Sequence, residues 1–299
     1  MSLFLQLLFN GLTVGSFYAL TALGYTMIYG IIRLINFAHG DLLMVGAFIG
    51  WTLLTTVAIQ HIPIAAAIAV ALLLSMAATG ILGLVVDRFA YEPLLRGSRL
   101  SILITALGVS LALENGVQLG YGAGFKAYPH LLPSVYLPVG GASLGVTQIG
   151  IFALSLALML GLYLFVHRTA IGTAMRALAL DQDAARLMGI DVEGVIRLTF
   201  FIGSALAAAA GVMMGLYYSE ISFTMGFLLG IRAFTAAVIG GIGNIPGAMV
   251  GGMVIGLLEA FTAGYFSSRW SDVAVFGALI LMLMFRPRGI FGERVVERM

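Results

Sequence analysis

Apolar residues run almost unbroken through residues 8–28, 42–86, 100–121, 149–166, 198–218, 227–242, 246–264 and 273–285. An apolar run of about 20 residues crosses the hydrocarbon core of a bilayer as a helix. The stretch 42–86 holds no charged residue and is long enough for two such helices, parted at His61, Ile62 and Pro63. The pattern therefore predicts an all-α polytopic membrane protein with about nine transmembrane segments. Between the runs lie a short polar loop at 87–99, a Gly- and Pro-rich loop at 122–148, a polar island at 168–197 and a basic tail at 286–299. The loop at 122–148 reads as irregular.

Composition fits this pattern. Hydrophobic residues make up 61% of the chain, charged residues 9%, and the mean hydropathy is +1.08, whereas a soluble domain carries about 25% charged residues. That leaves room for a single transmembrane domain over 1–299 and for little outside the bilayer. The net charge of +2 is small and the arginines sit at segment ends, which argues against a nucleic-acid partner. The chain has no cysteine, so disulfides, thiol catalysis and thiolate metal sites are excluded. The first apolar run is not preceded by a basic segment of the signal-peptide kind, and it is expected to stay as a helix.

Arginines orient the segments. Arg88, Arg96 and Arg99 fall in one loop, Arg168, Arg176, Arg186 and Arg197 in the island, and Arg286, Arg288, Arg294 and Arg298 in the tail. Lys126 and Arg269 stand alone on other connections. Cytoplasmic segments are enriched in Lys and Arg, so the three arginine-rich segments are assigned to the cytoplasm and the N-terminus to the outside. Nine spans satisfy that parity, and eight do not. Inside the island a short helix is legible: Asp181 as N-cap, 182–188 as the body and Gly189 as a left-handed stop. Its apolar face is expected to be Ala184, Ala185 and Met188, with Asp183 and Arg186 at the rim. Such a helix can press into a partner outside the membrane or lie on the lipid surface.

Two interruptions of the apolar pattern carry the candidate chemistry. After the first span, Arg33, Asn36, His39 and Asp41 break apolar sequence, and later Gly243, Asn244 and Pro246 break the stretch 227–264. Spans one to four (8–121) and spans six to nine (198–286) would run in opposite senses, with 34–50 and 238–256 in matching places. This is the pattern of an inverted repeat whose broken helices border a pathway near the midplane. Asn36, His39, Asp41 and Asn244 are thus candidates for a translocation pathway, since polar groups at membrane depth pair or face water. The other reading is a simple turn in which Asp41 caps the second helix. Arg232 and Glu259 suit a structural pair between neighbouring helices, Glu114 is a further carboxylate within a span, and Glu220 suits the outer interface. One His and one Asp make too few ligands for a metal. The glycines of GGIGNIPGAMVGG lack the strand, the spacing and the lysine of a nucleotide loop, and no catalytic triad pattern is present.

Three motifs together, INFAHGDLLMVGAF at 35–48, DQDAARLMGID at 181–191 and RAFTAAVIGGIGNIPGAMVGG at 232–252, resemble the permease subunits of bacterial ABC importers for branched-chain amino acids. The resemblance covers nearly the whole chain and is to the shorter of the two permeases in such systems. It implies an inner-membrane subunit paired with a second permease, two cytoplasmic ATPase subunits and a periplasmic substrate-binding protein. ATP would be bound by the partner, with no cofactor in this chain, and residues 181–189 would be the coupling helix. Similar permeases carry ribose-type sugars, urea or short amides. The alternative from another class is a secondary transporter or channel working alone, with Glu114 or Glu259 recruited for ion coupling.

Overall fold

Eleven α-helices make up most of the chain in the computed structural model, which describes residues 2–56, 63–94, 98–131 and 135–292. Helix α1 spans Ser2–Ile32, α2 His39–Thr56, α3 Ile64–Val86, α4 Arg99–Tyr121, α5 Val146–Arg168 and α6 Ala170–Leu180. Helix α7 spans Gln182–Leu187, α8 Val192–Tyr218, α9 Met225–Gly240, α10 Ile245–Tyr265 and α11 Ser271–Phe285. Seven segments among the described residues are long and apolar enough to cross a membrane: Ser2–Ile32, Ile64–Leu94, Leu100–Tyr121, Val146–Arg168, Val192–Tyr218, Ile245–Tyr265 and Ser268–Phe285. The chain is an all-α polytopic membrane protein. Helices α2 and α9, with 18 and 16 residues, are shorter.

Helix bounds differ from the apolar runs at several places. Helix α1 extends beyond 8–28 at both ends, and α8 starts at Val192, where Asp191 accepts from the Gly194 N–H as N-cap. Helix α3 continues through a wide turn at Asp87–Tyr91 and a tight one at Glu92–Leu94. The split at His61 and Ile62 lies outside the described residues. The loop at 122–148 is not wholly irregular. Strand β1 (Lys126–Ala127) pairs antiparallel with β4 (Glu220–Ile221), and β2 (Tyr136–Val139) pairs with β3 (Ala142–Gly145) across a turn at Gly140 and Gly141, both at positive φ. The island also holds more than one helix. Thr169 caps α6 by accepting from the Gly172 N–H, and Gly172, Met175 and Leu178 form its buried stripe.

Small residues set the packing. Gly11, Gly15 and Ala19 of α1 face Gly252 and Gly256 of α10 so closely that a Cβ on Gly256 would lie 2.2 Å from the Gly15 nitrogen. Helices in lipid gain contact energy from such close backbone approach rather than from hydrophobic burial. Helix α2 meets α8 in the same manner at Gly46 and Ala208, and α2 meets α9 at Gly40 and Gly230. The packing also pairs the halves: α1 lies on α10 as α3 lies on α8, and α1 touches α9 as α2 touches α8. Under this pairing the connection equivalent to 33–38 is 219–224, so the segments 34–50 and 238–256 are not the matching ones. The only non-glycine residues at positive φ among those described are Arg33 and Ser219, each directly after the first long helix of its half.

Side-chain and backbone hydrogen bonds sort the connections into two ends. At one end, the Ser143 N–H donates to Gln6, Gln148 donates to Asn10, the Trp51 indole donates to Ala127 and the Tyr128 N–H donates to Ser219. Tyr128 itself is buried between Gly50 and Gly215, and that burial raises the pKa of its phenol above the ordinary value. At the other end, Gln182 donates to Ile31, and Ile290 and Phe291 donate to the terminal carbonyls of α9.

Candidate functional site

The break between α1 and α2 starts where Arg33 takes a left-handed conformation (φ 57°) while its N–H still bonds to the Tyr29 carbonyl. The chain then turns back into the bundle. Asn36, His39 and Asp41 are at most 1% exposed and stand together in one buried layer. The Tyr91 hydroxyl donates to Asn36 Oδ1 at 2.6 Å. The His39 ring meets the edge of Tyr25 with centroids 4.7 Å apart, and a side chain at Gly24 would collide with its Nε2. Both His39 nitrogens, both Asp41 oxygens and Asn36 Nδ2 lack a well-formed hydrogen bond among the described residues, although the Thr21 backbone lies near the His39 ring and Ser110 near the Asp41 carboxylate. Asp41 lies in the first turn of α2, where the helix dipole favours an acid. Neither the cleft at residues 31–33 and 178–182 nor the narrow one beside Tyr25 and Phe234 is lined by these three side chains.

Asn244 sits apart from that layer. It caps α10, its Oδ1 accepting from the Gly247 N–H at 2.8 Å, with Pro246 in the first turn and Gly241 and Gly243 at positive φ before it. Gly226, near the start of α9, touches Asp41, while Asn244 follows its end, so the length of α9, about 24 Å, separates the two candidate positions.

The island carries a short capped helix. Asp181 accepts from the N–H groups of Asp183 and Ala184, and Gly189 closes the helix at φ 82°. Helix α7 ends at Leu187, with Met188 as its C-cap. Of the face assigned to it from the sequence, Ala184 and Met188 are exposed and Ala185 is not. Ala185 is buried, 4% exposed, against the chain itself, because Gln182 ties the helix to the end of α1 and turns Ala185 inward. Ala184 and Arg186 remain exposed, and the outward apolar surface consists of Leu180, Leu187 and Met188, each at least 80% exposed. Beside it opens a cleft of about 290 Å³ lined by Ile31, Ile32, Arg33 and residues 178–182. Sequence reasoning passed over Leu180 and Leu187, which end two different helices, α6 and α7, with extended Asp181 between them, so no helical spacing in the sequence relates them.

A second polar site joins α1, α9, α10 and α11. Arg232 Nη1 donates to Glu259 at 2.7 Å and to the Tyr18 hydroxyl at 3.1 Å, while its Nη2 reaches Asp272 at 2.6 Å. Tyr18 donates in turn to Glu259 at 2.6 Å. The expected Arg232–Glu259 pair is thus present, and Tyr18 and Asp272 complete it. Among the described residues no group of His, Asp and Glu is placed to hold a metal.

A family profile described as branched-chain amino acid transport system / permease component matches residues 7–284. The chain is 48% identical to the high-affinity branched-chain amino acid transport system permease protein BraD of Pseudomonas aeruginosa, over 99% of this chain and 98% of that protein. It is 42% identical to the corresponding protein LivH of Escherichia coli strain K12, over 99% and 97% respectively. A probable branched-chain amino acid transport permease protein LivH of Methanocaldococcus jannaschii is 30% identical over 91% of this chain and 88% of that protein. With its apolar helices and a likeness that runs from one end to the other, the chain belongs to the permease component family of branched-chain amino acid transport systems.

Proposed function

We propose that this chain is a permease subunit of an ATP-driven importer of branched-chain amino acids in the bacterial inner membrane. The observation that carries this reading is the full-length likeness to two high-affinity branched-chain amino acid permeases. It forms part of the translocation pathway with a second permease, takes substrate from a periplasmic binding protein and leaves ATP hydrolysis to two cytoplasmic ATPase subunits. Nine crossings, with α2 and α9 added to the seven long segments, put the N-terminus outside and the C-terminus in the cytoplasm. The sorting of connections into two ends supports that count. The opposite sense of the equivalent helices in the two halves supports an inverted repeat.

Coupling runs through α7. An ATPase groove would receive Leu180, Leu187 and Met188, while Asp181 and Gly189 fix the helix ends and Ala185 seats it on the permease. Asn36, His39 and Asp41 border the pathway in a conformation other than this closed one. Their polar atoms without well-formed hydrogen bonds support this, since a buried group left without a partner costs about 1–3 kcal/mol. Asn244 acts at the inner break by holding the start of α10. The test is uptake of labelled leucine into cells lacking the chain, restored with the native form or with Leu187→Asp. Native protein restores ATP-dependent uptake, and Leu187→Asp does not, although it inserts normally. Leucine uptake unchanged by loss of the chain overturns the proposal.

A further inference from the structure

We propose that residues 286–292, which follow α11, are a latch that holds the inner break between α9 and α10 closed, and that this end of the pathway opens when the latch lifts. This gating role presupposes that the chain is a permease of an ATP-driven importer, and it adds how the inner end of that permease is held.

A helix leaves its last carbonyls without donors of its own. At the end of α9 the Gly241 N–H serves the carbonyls of Ala237 and Val238. The next two are served from the far side of α10 and α11: the Ile290 N–H donates to Ile239 at 2.8 Å and the Phe291 N–H to Gly240 at 3.0 Å. By contrast, α6, α7, α8 and α10 each begin on a cap from the residue directly before them. The rest of the contact is backbone on backbone. A Cβ on Gly289, at φ 78°, would lie 2.6 Å from the Gly241 Cα, and one on Gly241, at φ 108°, would lie 2.7 Å from the Gly292 nitrogen.

Side chains add little to this hold. Arg286, Pro287, Arg288 and Phe291 are exposed, and Ile290 packs half-buried against the core. A segment kept down by a few backbone bonds over little apolar surface opens at low free energy while the core stays folded. Helix α11 gives it freedom to move. Asp272 pins the outer end of α11 to Arg232 Nη2 at 2.6 Å, whereas Leu283, Met284 and Phe285 at its inner end are exposed. On its other side the loop 241–244 meets α1, where a Cβ on Gly30 would stand 3.5 Å from the Gly243 Cα. The residue after Gly30 is Ile31, whose carbonyl accepts from Gln182 at 2.6 Å and so seats α7. The inner break is therefore held between the latch and the end of the helix to which α7 is tied. A shift of α7 displaces the end of α1 against this loop, and the loop follows once the Ile290 and Phe291 bonds let go.

The test follows those two amides. The native complex, with its ATPase subunits and its binding protein, is placed in nanodiscs, and hydrogen–deuterium exchange of the peptide holding residues 286–292 is read by mass spectrometry. Ile290 and Phe291 are expected to be protected without nucleotide and to exchange at least ~fivefold faster during turnover with ATP and leucine, the shift that release of one net backbone hydrogen bond gives. In parallel, Ile290→Pro removes a donor, and Gly289→Ala drives a Cβ into the Gly241 backbone. Both are expected to raise ATP hydrolysis without leucine at least ~fivefold and to lower the leucine moved per ATP, with the amount of complex unchanged. Ile290→Leu keeps the N–H and is expected to match the native protein. Equal protection in the two conditions overturns the inference, as does hydrolysis in both variants that is unchanged or falls together with uptake. A native complex whose ATP hydrolysis does not respond to leucine overturns the importer reading instead, which keeps the two failures apart.

Discussion

Single atoms decide the contact between α2 and α9. A Cβ on Gly40 would lie 2.3 Å from the Gly226 carbonyl oxygen and 2.6 Å from the Gly230 Cα, both backbone atoms that cannot rotate away. Gly40→Ala therefore forces the helices apart, and overpacking of this kind costs about 1–3 kcal/mol. Its detergent-purified form is expected to melt at a lower temperature than the native protein. Gly161→Ala on α5, where a Cβ meets nothing within 4 Å, leaves the midpoint unchanged. Equal midpoints for native protein and Gly40→Ala would remove the steric argument.

At the scale of elements, α7 is held on one side and offered on the other. Ala185→Trp strikes the chain itself, because Ala185 is buried against its own neighbours, and it lowers the yield of inserted permease. Leu187→Asp acts on the exposed side, leaving yield intact and abolishing co-purification of the ATPase. Loss of ATPase binding with normal insertion in Ala185→Trp would reverse the assignment of faces. The cluster around Arg232 binds four helices. Removing one partner of a buried ion pair costs about 3–5 kcal/mol, since the other charge is left unpaired, and less in this partly buried cluster, where Asp272 is 45% exposed. Arg232→Gln is thus expected to lower the melting temperature sharply, and Arg232→Gln with Glu259→Gln to recover part of it. A double variant no more stable than the single one would show that the pair is not the source.

For the molecule as a whole, the two-ended sorting of connections is open to a direct check. Ala123→Cys, in the exposed loop after α4, should react with an impermeant maleimide in intact cells, and Thr173→Cys, exposed on α6, only after permeabilisation. Reaction of Thr173→Cys in intact cells would invert the topology.

Much of this fold was legible because a bilayer imposes one rule along the chain: apolar runs of sufficient length become helices, whatever packs beside them. Local chemistry fixed the ends of α7 as well, since the Asp181 cap and the left-handed Gly189 depend only on neighbouring residues. Composition and hydropathy left three things open. The face that α7 presents depends on Gln182 reaching the Ile31 carbonyl, 151 residues away. The hairpin in the loop at 122–148 and the β1–β4 pair need strands brought together by α4 and α8. The matching of halves, with α2 against α9, depends on which glycines meet across helices, and one sequence rich in glycine offers many such meetings. Periodicity and capping are properties of a single segment, and they survive in the sequence. Orientation of a face and choice of neighbour belong to pairs of distant segments, so only the packed structure decided them.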